Sequence, residues 1–118
     1  MTKEEFMDCI RILRKYYSRA LLFKDADAVN QWYEDLKLLP HLLVGTAIKA
    51  WANKHAFPPS LAELQDYAKR VLHWIDVQEI IQHDTNGKVS HWNTAKERLQ
   101  WGCREYLRQL TGNDHRGS

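Results

Sequence analysis

FPPSLAEL, at residues 57–64, fixes where one helix ends and the next begins. Pro59 has a fixed φ and no backbone N–H, and each proline pushes the residue before it into extended geometry. A continuous helix through this stretch is therefore excluded. Ser60 is suited to cap a new helix, and Glu63 three residues later completes a capping box. The sequence thus predicts a rigid junction, here called the elbow, that consists of Phe57, Pro58, Pro59, Ser60 and Glu63.

Three helices are predicted upstream of the elbow. Thr2 and Glu5 form a capping box at the start of the first helix. Apolar residues then recur at helical spacing over about five turns: Phe6, Cys9, Ile10, Leu13, Tyr17, Ala20 and Leu21. Asp25 or Asp27 caps a second helix, and Pro40 suits the first turn of a third.

A fourth helix begins at Ser60 and is predicted to run to about Leu72. Connections among the four helices are short, which is typical of a compact bundle. Five Trp, five Tyr and three Phe supply large apolar area, and we expect Trp32, Trp51 and Phe57 to lie in the core. The fold class is all-α: a compact bundle of four short helices with a C-terminal helical extension.

The helical pattern weakens after the fourth helix. We divide the chain into an N-terminal helical domain (1–72), a connecting segment (73–92), a C-terminal helix (93–111) and a disordered tail (112–118). Gly112 is expected to end the last helix. An Asn-Gly hairpin that pairs residues 80–85 with residues 88–92 is the alternative for the connecting segment. The last helix has a heptad-like seam: Trp92, Lys96, Leu99, Cys103, Tyr106 and Leu110.

Composition limits the class of protein. A chain of 118 residues suggests one domain and is long enough to bury a core without disulfides. Cys9 and Cys103 both fall on apolar helical faces, so we expect two buried, reduced thiols. No apolar run approaches the length of about 18 residues that a membrane span needs, and no signal peptide is visible. We therefore expect a cytoplasmic protein without a membrane partner.

The sequence favours neither catalysis nor a cofactor. None of the five glycines precedes Lys-Ser or Lys-Thr, so the phosphate loop of an ATPase is missing. Paired carboxylates stand at helix starts or on predicted solvent faces, where capping and dipole complementarity explain them: Glu4-Glu5, Asp25/Asp27 and Glu34-Asp35. His83, Asp84 and His91 form the one loose metal-ligand cluster, without metal-site spacing. We expect a non-enzymatic protein with no metal.

The first helix offers a possible nucleic-acid surface. It carries basic residues with two tyrosines among them: Lys3, Arg11, Arg14, Lys15, Arg19, Lys24, Tyr16 and Tyr17. The net charge of +2 is no strong polyelectrolyte signal, and a solvated face is the simpler interpretation. A helix-turn-helix built on the elbow would place Glu63, Gln65 and Asp66 toward DNA, which weighs against reading of the major groove.

The C-terminal helix is the candidate surface for a protein partner. Trp, Tyr and Arg dominate binding hot spots, and this helix is rich in them. The candidate contact residues are Trp101, Arg104, Arg108, Arg98, Tyr106 and Leu107. Alternatively, this helix packs on the bundle as a fifth core helix. Both interpretations can hold, because the heptad-like seam and the Trp101/Arg104/Arg108 set lie on different faces.

The block WYEDLKLLPHLLVGTAIKAWANKHAFPPSLAEL, residues 32–64, resembles the N-terminal domain of small, non-ATPase phage proteins that load and inhibit DnaB-type helicases. In that family a Trp opens the second helix, and the third helix is rich in alanine. An F-P-P-(S/T) sequence starts the fourth. The resemblance covers roughly residues 1–70. It implies a folded N-terminal domain and a C-terminal region that contacts the helicase.

This resemblance implies a phage DNA replication protein that is a monomer when free in the host cytoplasm. It would bind the hexameric replicative helicase, inhibit it and deliver it to the origin initiator complex, so the initiator protein is a second expected partner. Two other interpretations stay open. One is a small DNA-binding replication or regulatory protein that uses the basic first helix, and the other is an inhibitor of a different host enzyme.

Overall fold

The computed structural model describes residues 1–18, 26–86 and 95–116, without the side chains of 82–86 and 111–116. The ordered elements in these ranges are five helices: α1 (Lys3–Tyr16), α2 (Ala26–Leu36), α3 (His41–Lys54), α4 (Leu61–Asn86) and α5 (Ala95–Arg116). The predicted all-α fold class is confirmed. Among the described residues, no helix combines the length and the apolar character needed to span a bilayer.

Helix α3 is the centre of the molecule, since α1, α4 and α5 all pack against it. Apolar or small residues cover most of its surface, which is typical of a helix in the middle of a bundle, and Lys49 is exposed. Its buried residues are Leu43, Val44, Gly45, Thr46, Ala47, Ile48, Ala50 and Trp51. Pro40 directly precedes the helix in extended geometry and occupies the N-cap position.

Helix α1 starts at the predicted capping box. The Glu5 N–H donates to the Thr2 hydroxyl (3.1 Å), and the Thr2 N–H donates to the Glu5 carboxylate (2.8 Å). The apolar stripe is shorter than predicted, because the helix ends at Tyr16 and Tyr17 is its C-cap. The buried Tyr17 hydroxyl donates to the carbonyl of His55 (2.9 Å), which joins the end of α1 to the end of α3. Ala20 and Leu21 lie outside the described residues.

Helix α2 is held by the N-terminus of the chain. The Met1 ammonium group donates to the carbonyl of Lys37, and the Tyr33 hydroxyl donates to the carbonyl of Met1 (3.3 Å). The rings of Phe6 and Tyr33 meet edge to face, with centroids 5.4 Å apart. Trp32 is half-buried against the core, in part as expected.

The sequence predicts two alternative caps for α2, and the structure tests one of them. Asp27 lies within the first turn of the helix, so it is not the N-cap. The alternative cap, Asp25, falls outside the described residues.

The elbow is confirmed as a capping box between α3 and α4. The Glu63 N–H donates to the Ser60 hydroxyl (3.2 Å), and the Ser60 N–H donates to the Glu63 carboxylate (2.9 Å). Pro58 is half-buried and Pro59 is buried beneath the junction. The rigid helix junction predicted from the two prolines is therefore present.

The expectation that Phe57 lies in the core is wrong, because its side chain is 80% exposed. The indole N–H of the buried Trp51 donates to the carbonyl of Phe57 at 2.7 Å. A buried indole donor needs an acceptor. In the extended geometry that Pro58 imposes, the carbonyl that meets this need faces the core, and the ring lies in solvent.

Helices α4 and α5 are longer than predicted. α4 continues to Asn86, so residues 73–86 of the predicted connecting segment are helical. The hairpin alternative is therefore wrong for its first strand at 80–85, while 88–92 lie outside the described residues. Burial explains the start of this extension, because Val71 and Ile75 are fully buried in the same core cluster as residues of α1 and α3.

Helix α5 passes Gly112 and ends at Arg116, so residues 112–116 are helical and the predicted tail is wrong there. One glycine inside a helix costs only about 1 kcal/mol, which does not force a helix to end. The division of the chain into domains stays a prediction.

We predict that Ser60→Ala lowers the free energy of unfolding by about 1 kcal/mol, because it removes the side-chain cap of α4. Urea denaturation followed by circular dichroism measures the change. Ser18→Ala is the matched control, since Ser18 is exposed in a turn and is not the N-cap of any of the five described helices. Equal urea midpoints for Ser60→Ala and wild type would contradict the capping role.

We predict a large loss of stability on replacing Trp51 and almost none on replacing Phe57, although a hydrogen bond from the Trp51 indole to the Phe57 carbonyl joins the two residues. Trp51→Ala is expected to cost about 3–5 kcal/mol by leaving a cavity. Phe57→Ala is expected to stay within about 0.5 kcal/mol of wild type, as for an exposed side chain. Thermal unfolding of both variants tests the pair, and a large loss in Phe57→Ala would show that its ring supports the fold.

Candidate partner-binding site

A glycine of α5 determines how closely this helix packs against α4. Gly102 is buried, and a Cβ added there would lie only 2.4 Å from Cγ1 of the fully buried Ile75. The two helices approach this closely because Gly102 has no side chain. The neighbouring Cys103 is also buried, and its thiol donates to the carbonyl of Leu42 (3.7 Å). α5 is therefore fixed against both α4 and α3.

Both cysteines are buried free thiols, as predicted. Burial raises the pKa of Cys9 to about 11, and it raises the pKa of Cys103 as well. Because the thiolate is the reactive form, neither side chain is suited to nucleophilic or redox chemistry at neutral pH.

Arg98 holds α5 against α4. Its guanidinium forms ion pairs with Asp76 and Glu79, both on α4. Partial burial alone would lower the pKa of Arg98, but hydrogen bonds to the two carboxylates outweigh burial and raise it. This side chain was a candidate partner contact in the sequence, and the structure places it between two helices of the same chain.

The inward face of α5 packs as a fifth core helix. The rings of Tyr106 and Trp74 meet edge to face with centroids 5.5 Å apart, and burial raises the pKa of the Tyr106 phenol. Leu99 also packs against the core cluster. The predicted heptad-like seam is wrong at Lys96, which is exposed, and Trp92 lies outside the described residues.

The outward face of α5 carries three of the predicted contact residues. Arg104 and Arg108 are exposed, and Trp101 is half-buried. The guanidinium of Arg108 pairs with Glu105 on the same helix at 2.6 Å. Trp101 and Arg104 are three residues apart, and Arg104 and Arg108 are four apart, so the three side chains share one stripe of the helix surface. They can offer a partner two guanidinium groups beside an indole.

Leu107 lies in a cleft of about 390 Å³ where α1, α3 and α5 meet. Its described lining residues are Tyr16, Lys49, Ala52, Asn53, Leu107 and Leu110. Sequence reasoning did not connect Lys49 with Leu107, since no motif or spacing links residues that are far apart in the chain. Helix packing alone brings them together.

The basic face of α1 is partly engaged within the chain. The Lys3 ammonium lies 5.9 Å from the centre of the Tyr33 ring, and Arg11 pairs with Asp8. Tyr17 is buried, whereas Tyr16 is half-exposed, so the two tyrosines do not form one aromatic surface. Arg19 and Lys24 lie outside the described residues. This arrangement favours a solvated face over a phosphate-binding one.

Glu5 and Glu34, two of the carboxylates singled out in the sequence, have structural partners. Hydrogen bonding to the Thr2 backbone N–H lowers the pKa of Glu5, and Glu34 pairs with Lys37 at 2.6 Å. In the part of the chain that the structure describes, no three His, Cys, Asp or Glu side chains are grouped to hold a metal ion. The side chains of His83, Asp84 and His91 lie outside that part.

Comparison with known proteins gives one match. The family described as the N-terminal domain of phage gene 39 protein matches residues 1–65, which span α1 to α3, the elbow and the first turn of α4. No curated protein and no solved structure matches the chain. The match therefore ends before α5, and the candidate contact residues lie beyond it.

We predict opposite effects of alanine at the two buried helical glycines. Gly102→Ala is expected to cost about 1–3 kcal/mol, because its methyl group would overlap Ile75. At Gly45 an added Cβ would lie 3.6 Å from Cδ1 of Ile12, an ordinary contact. Gly45→Ala is expected to stabilise the protein by about 0.5–1 kcal/mol through helix propensity. Urea denaturation of both variants measures the contrast, and a neutral Gly102→Ala would refute the close approach of α4 and α5.

Proposed function

This chain belongs to the family of the phage gene 39 protein N-terminal domain, a family of helicase-binding, inhibiting loaders, and on this premise we propose its function. We propose that it binds the hexameric DnaB-type replicative helicase, holds it inactive and delivers it to the origin initiator complex. The observation that carries the proposal is the family match over residues 1–65. In this proposal the protein has no enzymatic activity of its own.

The surface chemistry supports α5 as the contact with the helicase. The outward face of α5 carries Trp101, Arg104 and Arg108, residue types that dominate hot spots. Gly102 and Arg98 fix α5 on the bundle, so this face is held in place before binding. A preorganised surface loses less conformational entropy when it binds a partner.

The proposed inhibition needs only differential binding. A protein that binds one conformation of the helicase more tightly than the others shifts the helicase toward that conformation. The sequence has no phosphate loop, so binding free energy replaces nucleotide hydrolysis as the driving force. Release then requires a competitor, and the initiator at the origin is the proposed one.

We predict that Arg104→Ala and Arg108→Ala each weaken binding to the cognate replicative helicase by about 2 kcal/mol, or about thirtyfold. Each substitution removes a charge-assisted contact from the outward face of α5. Isothermal titration of the helicase hexamer with the full chain, in the presence of ATP, gives the affinity. Lys96→Ala is the matched control, because Lys96 is also an exposed cation on α5.

Two results would redirect the proposal. Wild-type affinity in both arginine variants would move the interface away from α5. Absence of helicase binding, together with a duplex gel shift at about 150 mM salt, would favour the DNA-binding alternative on α1.

A further inference from the structure

A second surface, at the elbow, is independent of the α5 contact. This surface includes Phe57, whose large aromatic ring is 80% exposed and contributes little to the core. Its main-chain carbonyl is fixed by the indole of Trp51, and the prolines that follow restrict its backbone. The ring therefore projects from a rigid support, as a preorganised binding anchor does.

An aromatic cleft lies between the end of α3 and the start of α4, on either side of the elbow in the sequence. It has a volume of about 430 Å³, and its described lining residues are Trp51, His55, Ala62, Glu63, Asp66, Tyr67 and Arg70. The rings of Trp51 and His55 stack with centroids 3.7 Å apart. Tyr67 meets Trp51 edge to face at 5.1 Å, and its hydroxyl lies 3.2 Å from Nε2 of His55. Trp51 lines the cleft and also donates to the Phe57 carbonyl, so the cleft lies close to the backbone of the elbow.

The cleft has a surplus of negative charge at pH 7. Asp66 and Arg70 form an ion pair at 2.8 Å, so their charges compensate each other. Glu63 has no ion pair among the described residues, although His55 lies near enough to influence it electrostatically. Hydrogen bonding to the Ser60 backbone N–H lowers the pKa of Glu63, so this carboxylate stays ionised. One uncompensated negative charge thus faces an aromatic cleft.

This chemistry suits a cation. Aromatic rings attract ammonium and guanidinium groups through their negative faces, and a carboxylate adds a charge-assisted hydrogen bond. Within the cleft the Arg70 guanidinium already lies 5.3 Å from the centre of the Tyr67 ring and pairs with Asp66, so Glu63 is the carboxylate that has no ion pair among the described residues. A phosphate-bearing ligand would instead meet the charge of Glu63.

We propose that the elbow cleft binds the Lys or Arg side chain of a partner protein, with Phe57 packed against a large apolar residue next to that side chain in the partner. The surface extends the function proposed for α5, since it gives the protein a second docking site on the matched, N-terminal part of the chain. The two sites can therefore be tested separately.

Nuclear magnetic resonance of the full, ¹⁵N-labelled chain tests the proposal. The probe is a short capped peptide that alternates leucine and lysine, and the control peptide has glutamate in place of lysine. The indole N–H signal of Trp51 reports on the elbow, and the indole signals of the other tryptophans serve as internal references. We expect the lysine peptide to shift the Trp51 signal and the glutamate peptide to leave it unchanged.

Two variants test the two halves of the site. Phe57→Ala removes the exposed ring, and Glu63→Gln removes the charge while glutamine still completes the capping box. Each substitution is expected to lower the affinity for the lysine peptide by about tenfold. Leu38→Ala, at a large apolar side chain that is 91% exposed, and Glu4→Gln, in the first turn of α1, are matched controls and are expected to bind as wild type does.

Three outcomes would overturn the proposal. Equal shifts from both peptides would exclude selection for a cation. Unchanged affinity in Glu63→Gln or in Phe57→Ala would remove the corresponding residue from the site. A shift of the Trp51 signal by a single-stranded DNA oligonucleotide, without one by the lysine peptide, would assign the cleft to nucleic acid. None of these outcomes depends on whether α5 binds the helicase.

Discussion

The hydrogen bond from the Trp51 indole to the Phe57 carbonyl is the constraint on which the arrangement of α3, the elbow and α4 depends. Trp51 is needed as a large apolar side chain at the end of the central helix, yet burial of its ring also buries a polar N–H that requires an acceptor. The chain supplies that acceptor six residues later. As a consequence the backbone turns back over α3, and Pro59 is buried beneath the turn.

The same bond explains why a motif that looks purely structural carries an exposed ring. A residue in extended geometry has its carbonyl and side chain directed differently, so fixing the carbonyl on the core side leaves the side chain of Phe57 in solvent. Around it, the stacked ring of His55 and the edge-on ring of Tyr67 complete a cleft that Glu63 makes acidic. The elbow thus has a structural side, and its exposed side is the one we propose to bind a partner.

The core does not end where the family match ends. Val71, Ile75 and Cys103 are buried in one cluster with Phe6 and Leu13 of α1, although the match stops at residue 65. The close approach of α4 and α5 at Gly102 makes this shared core possible, and the ion pairs of Arg98 with Asp76 and Glu79 join the same two helices. α5 is consequently part of the folded body and at the same time presents its outward face to solvent, which is the property the proposed helicase contact requires.

The sequence by itself determined the features that depend on neighbours a few residues away. Both capping boxes, the break at the two prolines, the all-α class and the apolar stripe of α1 up to Leu13 follow from local hydrogen bonding, steric limits and periodicity. The family likeness was also readable, because its residues form one ordered block.

Only the tertiary structure decided which side of each element is covered. Phe57 and Trp51 are both large aromatic residues in the sequence, and the packing of Trp51, with its hydrogen bond to the carbonyl six residues later, places one ring in solvent and the other in the core. Gly112 looks like a helix end, but one glycine inside a helix costs only about 1 kcal/mol. The residues just after Leu72 look like the start of a connection, but Ile75 packs against Gly102 of α5. Gly102, Arg98 and Lys49 carry no local signal at all, since their roles come from residues 19 or more positions away or on another helix. Burial and pairing depend on which surfaces meet, and that is settled only when the helices pack.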